Sequence, residues 1–199
     1  MPDAAAVPGS DANADADADA NTHAYADLNA PEPSASDDDR YGEISVELEG
    51  EHGEILVVSG ENIPRVTLTR APGAEVDDHI VIGTRDPAHL TLTVDGRDAT
   101  VLPAKGRLSR RSYRVDVTHA GASYRLVPDS IPSSRLTRDG KHLGDFSSDG
   151  DRRVIAEWQA GAGIEPLDAA IGYALSAAFG TGGQPMWMMA VDAVSTALP

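Results

Sequence analysis

A chain of 199 residues has room for one domain of ordinary size and a tail, and its formal net charge of −16 weighs against nonspecific nucleic-acid binding, which draws its affinity from neutralising phosphates. No cysteine is present, so disulfides, thiolate zinc sites and cysteine nucleophiles are excluded. The charge is uneven: residues 1–40 hold ten acids against Arg40 alone, a local −9, which leaves −7 for the remaining 159.

Residues 1–40 alternate Ala with Asp and Asn and add Pro, Ser and Gly, with almost nothing able to bury surface. They read as a disordered acidic leader, a solvating tail or a docking segment for a basic partner, with a single β-rich domain over 41–199. Asp3 stands where a basic n-region would be and no apolar h-region follows, so a secretory signal is not expected and the cytoplasm is the default location.

From Tyr41 the period becomes two. Ile44, Val46 and Leu48 alternate with polar residues, and a turn at Gly50-Glu51-His52-Gly53 sets Leu48 opposite Ile55 and Val46 opposite Val57. Ile63, Val66 and Leu68 predict a third strand and Ile80-Val81-Ile82 a short fourth. Asp95-Gly96 predicts a hairpin pairing Leu92 with Ala99 and Leu90 with Val101. Turning at Ala120-Gly121 pairs Val117 with Tyr124, Val115 with Leu126 and Asp116 with Arg125. Asp139-Gly140 puts Leu136 across from Leu143, and Val154 to Trp158 completes about eleven strands.

Pro166 and Pro185 each open a predicted helix, separated by Gly180-Thr181-Gly182-Gly183-Gln184. Leu167, Ile171, Ala174, Leu175, Ala178 and Phe179 form one face of the first, with Asp168 in its first turn and Gly180 at its C-cap. The second, around Met186-Trp187-Met188-Met189, is apolar nearly all round. The run is broken by the glycines and by Asp168 and Asp192, so a transmembrane span is not expected. The fold class is therefore α+β, mainly antiparallel β, as a curled barrel or a sandwich. A barrel around the helices is favoured, because a helix apolar on every side needs walls on every side.

The stretches Tyr113-Arg114-Val115-Asp116-Val117, Ser123-Tyr124-Arg125-Leu126 and Arg138-Asp139-Gly140-Lys141-His142-Leu143-Gly144 precede the hydrophobic helical text from Gly172-Tyr173-Ala174-Leu175 onward. In that order they resemble the tubby-like superfamily, which includes the LURP-one and scramblase-type proteins, over about 120 residues. The helical text is also similar to uncharacterised bacterial sequences. The resemblance implies a lipid- or protein-binding module with no particular reaction, and it transfers no functional residue.

Catalytic signatures are thin. Gly121-Ala122-Ser123-Tyr124-Arg125 lacks the last glycine of a nucleophile elbow and sits in a hairpin. The six histidines make no zinc-binding spacing, Asp77-Asp78-His79 reads as a wet loop, and Asp149-Gly150-Asp151 lacks the spaced oxygens of a calcium loop. Gly161-Ala162-Gly163 and Gly180-Thr181-Gly182-Gly183 read as helix-packing turns, so neither a cofactor nor a metal is predicted. The sharpest feature is cationic: Lys105, Arg107, Arg110, Arg111 and Arg114 within ten residues of an acidic chain. They are candidates for binding an anionic lipid headgroup, a phosphate or an acidic peptide. A noncatalytic binding or regulatory domain is the first reading. The alternatives are an enzyme whose carboxylates and histidines converge only in the fold, and an interaction module docking through the C-terminal helix.

Overall fold

A computed structural model describes residues 34–106, 109–148 and 153–182. It contains eleven strands: β1 (Ser34–Asp38), β2 (Gly42–Glu49), β3 (Ile55–Gly60), β4 (Ile63–Arg70), β5 (Leu90–Val94), β6 (Arg97–Pro103), β7 (Val115–His119), β8 (Ala122–Pro128), β9 (Ser133–Arg138), β10 (Lys141–Ser148) and β11 (Val154–Trp158). Each pairs antiparallel with the next in chain order, and the sheet curls into a nearly closed barrel. Because direction alternates strand by strand, the connections after even-numbered strands gather at one mouth, here the upper one. Among the described residues these are 50–54, 71–89, 104–106 with 109–114 (loop 104–114 below), and 129–132. The other turns, and the passage from β11 into the helix, lie at the lower mouth.

Helix α1 (Pro166–Phe179) runs upward inside this wall. Every residue from Asp168 to Ala178 is buried, and the helix touches β2, β3, β4, β8, β9, β10 and β11, so α1, for which the sequence showed one apolar face, is walled on all sides. Its start combines Pro166 in the first turn with a reciprocal box between Glu165 and Asp168, which satisfies backbone N–H groups that have no intrahelical acceptor. At its upper end Ile82 N donates to Ala178 O at 3.2 Å and Gly182 N to Ser134 Oγ at 3.1 Å.

Polar locks close the lower mouth. Arg138 Nη1 donates to both carboxylate oxygens of Asp168, at 2.9 and 3.0 Å, and Glu165 N donates to the same group at 2.8 Å. Asp38 Oδ2 accepts from Trp158 Nε1 at 2.9 Å and from Tyr173 OH at 2.8 Å, while Oδ1 accepts from Arg40 N and Tyr41 N. One carboxylate on β1 thus holds the opposite edge strand, β11, and the central helix.

Several sequence expectations are met. The Ala120-Gly121 hairpin has all three predicted pairs, and Leu92 faces Ala99. Asp95, Ala120 and Asp139 take positive φ ahead of their glycines, as tight hairpin turns require. Other expectations are corrected. Leu48 faces Leu56 and Val46 faces Val58, because β3 is apolar at four successive positions and only the turn fixes its register. That turn is residues 50–54, in which His52 N bonds the Glu54 carboxylate and Arg70 N bonds Glu54 O. Leu136 faces Gly144 instead of Leu143, since a bulge interrupts the ladder between His142 and Gly144. The β5–β6 ladder stops at Leu92–Ala99, short of the Leu90–Val101 pair.

Ile80-Val81-Ile82 is not a strand. Hydrogen bonds from Ile80 N to Asp77 O and from Gly83 N to Ile80 O turn the chain twice, and Ile82 becomes a plug on α1. The count of eleven holds because β1 takes its place, inside the segment expected to be disordered to residue 40. Residues 1–33 and the second helix expected from Pro185 lie outside the described residues.

Candidate functional site

The upper mouth carries the loop between β6 and β7, in which the cationic stretch falls. Ala104 N bonds Arg114 O at 2.9 Å and closes the neck of that loop. Within it Arg110–Tyr113 form a short 3-10 turn, and Gly106 adopts a φ of 69° with its backbone against the Tyr113 ring, where any Cβ would collide.

Arg85, on the neighbouring loop 71–89, ties the neck from beneath. Its Nε donates to Ala104 O at 2.8 Å, and its Nη2 donates to Tyr113 O and to Arg114 O. The guanidinium carbon lies 5.6 Å from the centre of the Tyr113 ring and 5.1 Å from that of Phe179, within cation–π range of both. Burial pushes its pKa down from 12.5 to about 10, because a desolvated cation is costly. Among the described residues no carboxylate lies within ion-pair distance of it, so carbonyls and ring faces carry the compensation. Sequence reasoning missed Arg85 because Thr84-Arg85-Asp86 reads as ordinary wet loop.

The five predicted cations separate. Lys105 and Arg111 are exposed and Arg110 is half-exposed, and none has a carboxylate within ion-pair distance among the described residues. Arg114 is also exposed, but its Nε donates to Asp116 at 3.2 Å, and Asp116 also pairs with Arg125, which ties Arg114 to the barrel wall. Arg107 lies outside the described residues.

Beside the loop is an open cleft of about 660 Å³, whose lining includes Arg85 and Lys105 together with Glu75, Asp77, Asp78 and Asp86. The backbone N–H of Ala88 holds the Asp86 carboxyl below the usual carboxylate range, and His89 Nδ1 stands 3.3 Å from that carboxylate. Both side chains of this pair are more than 40 % exposed, so water screens them. His79 is exposed in the same loop, and His119 and His142 lie on other parts of the barrel. Among the described residues no three His, Asp or Glu side chains are grouped to hold a metal ion.

The remaining motifs have structural settings. Asp77-Asp78-His79 is an exposed turn, and the glycines around Ala162 shape the approach to α1, where Lys141 Nζ donates to Ala162 O at 2.7 Å. Ser123 lies in the β7–β8 hairpin, while Asp149-Gly150-Asp151 falls outside the described residues. No helix among the described residues is long and apolar enough to cross a membrane. Comparison of the chain with protein-family models, curated proteins and solved structures finds no match.

Proposed function

We propose that the domain is a noncatalytic binding module whose loop 104–114 takes phosphate-bearing anions. The observation that supports this is the state of Lys105, Arg110 and Arg111: three cations at the surface of an acidic chain, unpaired among the described residues, on a loop whose neck Arg85 holds in place. Exposed arginines not engaged by carboxylates keep their forked N–H donors free for phosphate oxygens. Holding the neck reduces the ordering cost of binding, so the anion need only fix the cationic side chains.

Calorimetric titration of the full chain with inorganic pyrophosphate tests this reading. The double variant Arg110→Glu/Arg111→Glu should bind about a hundredfold more weakly, as expected for two lost charge-assisted hydrogen bonds. The wild-type affinity should fall on raising the salt. Equal affinity of the two proteins rules the loop out.

A further inference from the structure

Five large apolar side chains stand exposed among the described residues: Val76, Val81, Leu102, Ile131 and Ile155. All five belong to the upper half of the barrel. Val76 and Val81 are in loop 71–89 and Ile131 is in loop 129–132, while Leu102 and Ile155 each sit one residue from the upper end of their strand. Loops 71–89, 104–114 and 129–132 are consecutive connections around that mouth, so the cationic loop has on each side a loop that carries an exposed apolar side chain. Apolar side chains scattered singly over a surface are unremarkable, but confinement to one rim beside unpaired cations is a pattern.

We infer that the upper rim docks end-on against an anionic bilayer, with Lys105, Arg110 and Arg111 at the phosphates and Val81 and Ile131 in the interfacial layer. This rests on the anion-binding reading and names the source of the phosphate. A free phosphate needs no apolar flanks, whereas the interface of a charged membrane rewards both features together. The tips of separate loops suit a flat surface, while an extended peptide needs a groove or an open strand edge. The cleft that exists here sets Glu75, Asp77, Asp78 and Asp86 among Arg85 and Lys105, so it offers an extended acidic peptide no continuous cationic track.

The test is co-sedimentation of the full chain with vesicles of phosphatidylcholine alone and of phosphatidylcholine mixed with phosphatidylserine. Val81 is 42 % and Ile131 49 % exposed, so the neutral pair Val81→Ser/Ile131→Ser should melt like wild type, as a thermal scan will verify. That variant should lose about tenfold in affinity for the mixed vesicles, from lost apolar burial, while keeping its pyrophosphate affinity. Arg110→Glu/Arg111→Glu should lose both. Unchanged vesicle binding by the serine pair overturns the inference. So does wild-type protein that binds pyrophosphate but sediments no better with the mixed vesicles than with phosphatidylcholine alone, and in that case the anion-binding loop survives. A chain that binds neither probe refutes both readings.

Discussion

Gly172 brings the backbone of α1 close against the barrel wall. A Cβ at this position would overlap the ring of Phe146, which is fully buried and held edge-to-face between Trp158, at 5.4 Å, and Tyr173, at 5.5 Å. In the middle of an unconstrained helix, replacing Gly by Ala stabilises by about 1 kcal/mol. Here the overpacking should dominate, and Gly172→Ala should destabilise by roughly 1 to 3 kcal/mol in a denaturant melt. Adding Phe146→Leu makes room for the new methyl, so the Ala substitution should be better tolerated in that background. A Gly172→Ala protein more stable than wild type would show that the ring yields freely. Asp38 is a second position where one side chain governs large parts of the fold, and the sequence hides it. In Ser34-Ala35-Ser36-Asp37-Asp38 the inward positions are Ser36 and Asp38, so the buried side carries no apolar residue to betray a strand. A reading based on apolar periodicity can only assign such a segment to the tail.

At the scale of elements, α1 was legible because its signals are local: Pro166 at the start, Gly180 at the end and apolar positions at helical spacing between them. Hairpins with a residue at positive φ followed by glycine were legible for the same reason. Register was lost in β3, where the apolar run is continuous, and at the β10 bulge, which no local signal announces. The anchoring of α1 was only half visible. Asp168 in a first turn suggests an exposed dipole partner, yet its side chain is fully buried and its cation, Arg138, comes from β9, thirty residues away. Removing only the cation should strand a buried charge, so Arg138→Met should destabilise by about 3 to 5 kcal/mol. Arg138→Met/Asp168→Asn should recover a large part of that loss, since the amide can still accept from Glu165 N without carrying charge. Additive losses in the double variant, measured by urea unfolding, would show that the pair is not coupled.

For the whole molecule, the order of elements sufficed to favour a barrel filled by a helix, but it could not say which loops share a mouth until the antiparallel order of all eleven strands was known. The cationic stretch was therefore legible and its apolar neighbours were not: Ile131 lies about twenty residues beyond Arg111 and meets its neighbourhood only through the meander. The same closure ties three phenols to one core. Tyr41 precedes β2, Tyr124 is on β8 and Tyr173 is on α1, and burial raises the pKa of each, that of Tyr124 to about 12 and that of Tyr173 further still. In the unfolded chain these groups ionise near 10. Between pH 10 and 12 the unfolded state has therefore released protons that the folded state keeps, and stability must fall as pH rises, by up to about 1.4 kcal/mol per pH unit for each phenol. The stabilisation is complete below pH 10 and is lost through this window. Phenolate absorbance from Tyr124 and Tyr173, isolated by subtracting the Tyr124→Phe and Tyr173→Phe spectra, should appear together with the loss of circular dichroism. Absorbance that rises while the dichroism stays intact would mean that these hydroxyls reach water without opening the barrel.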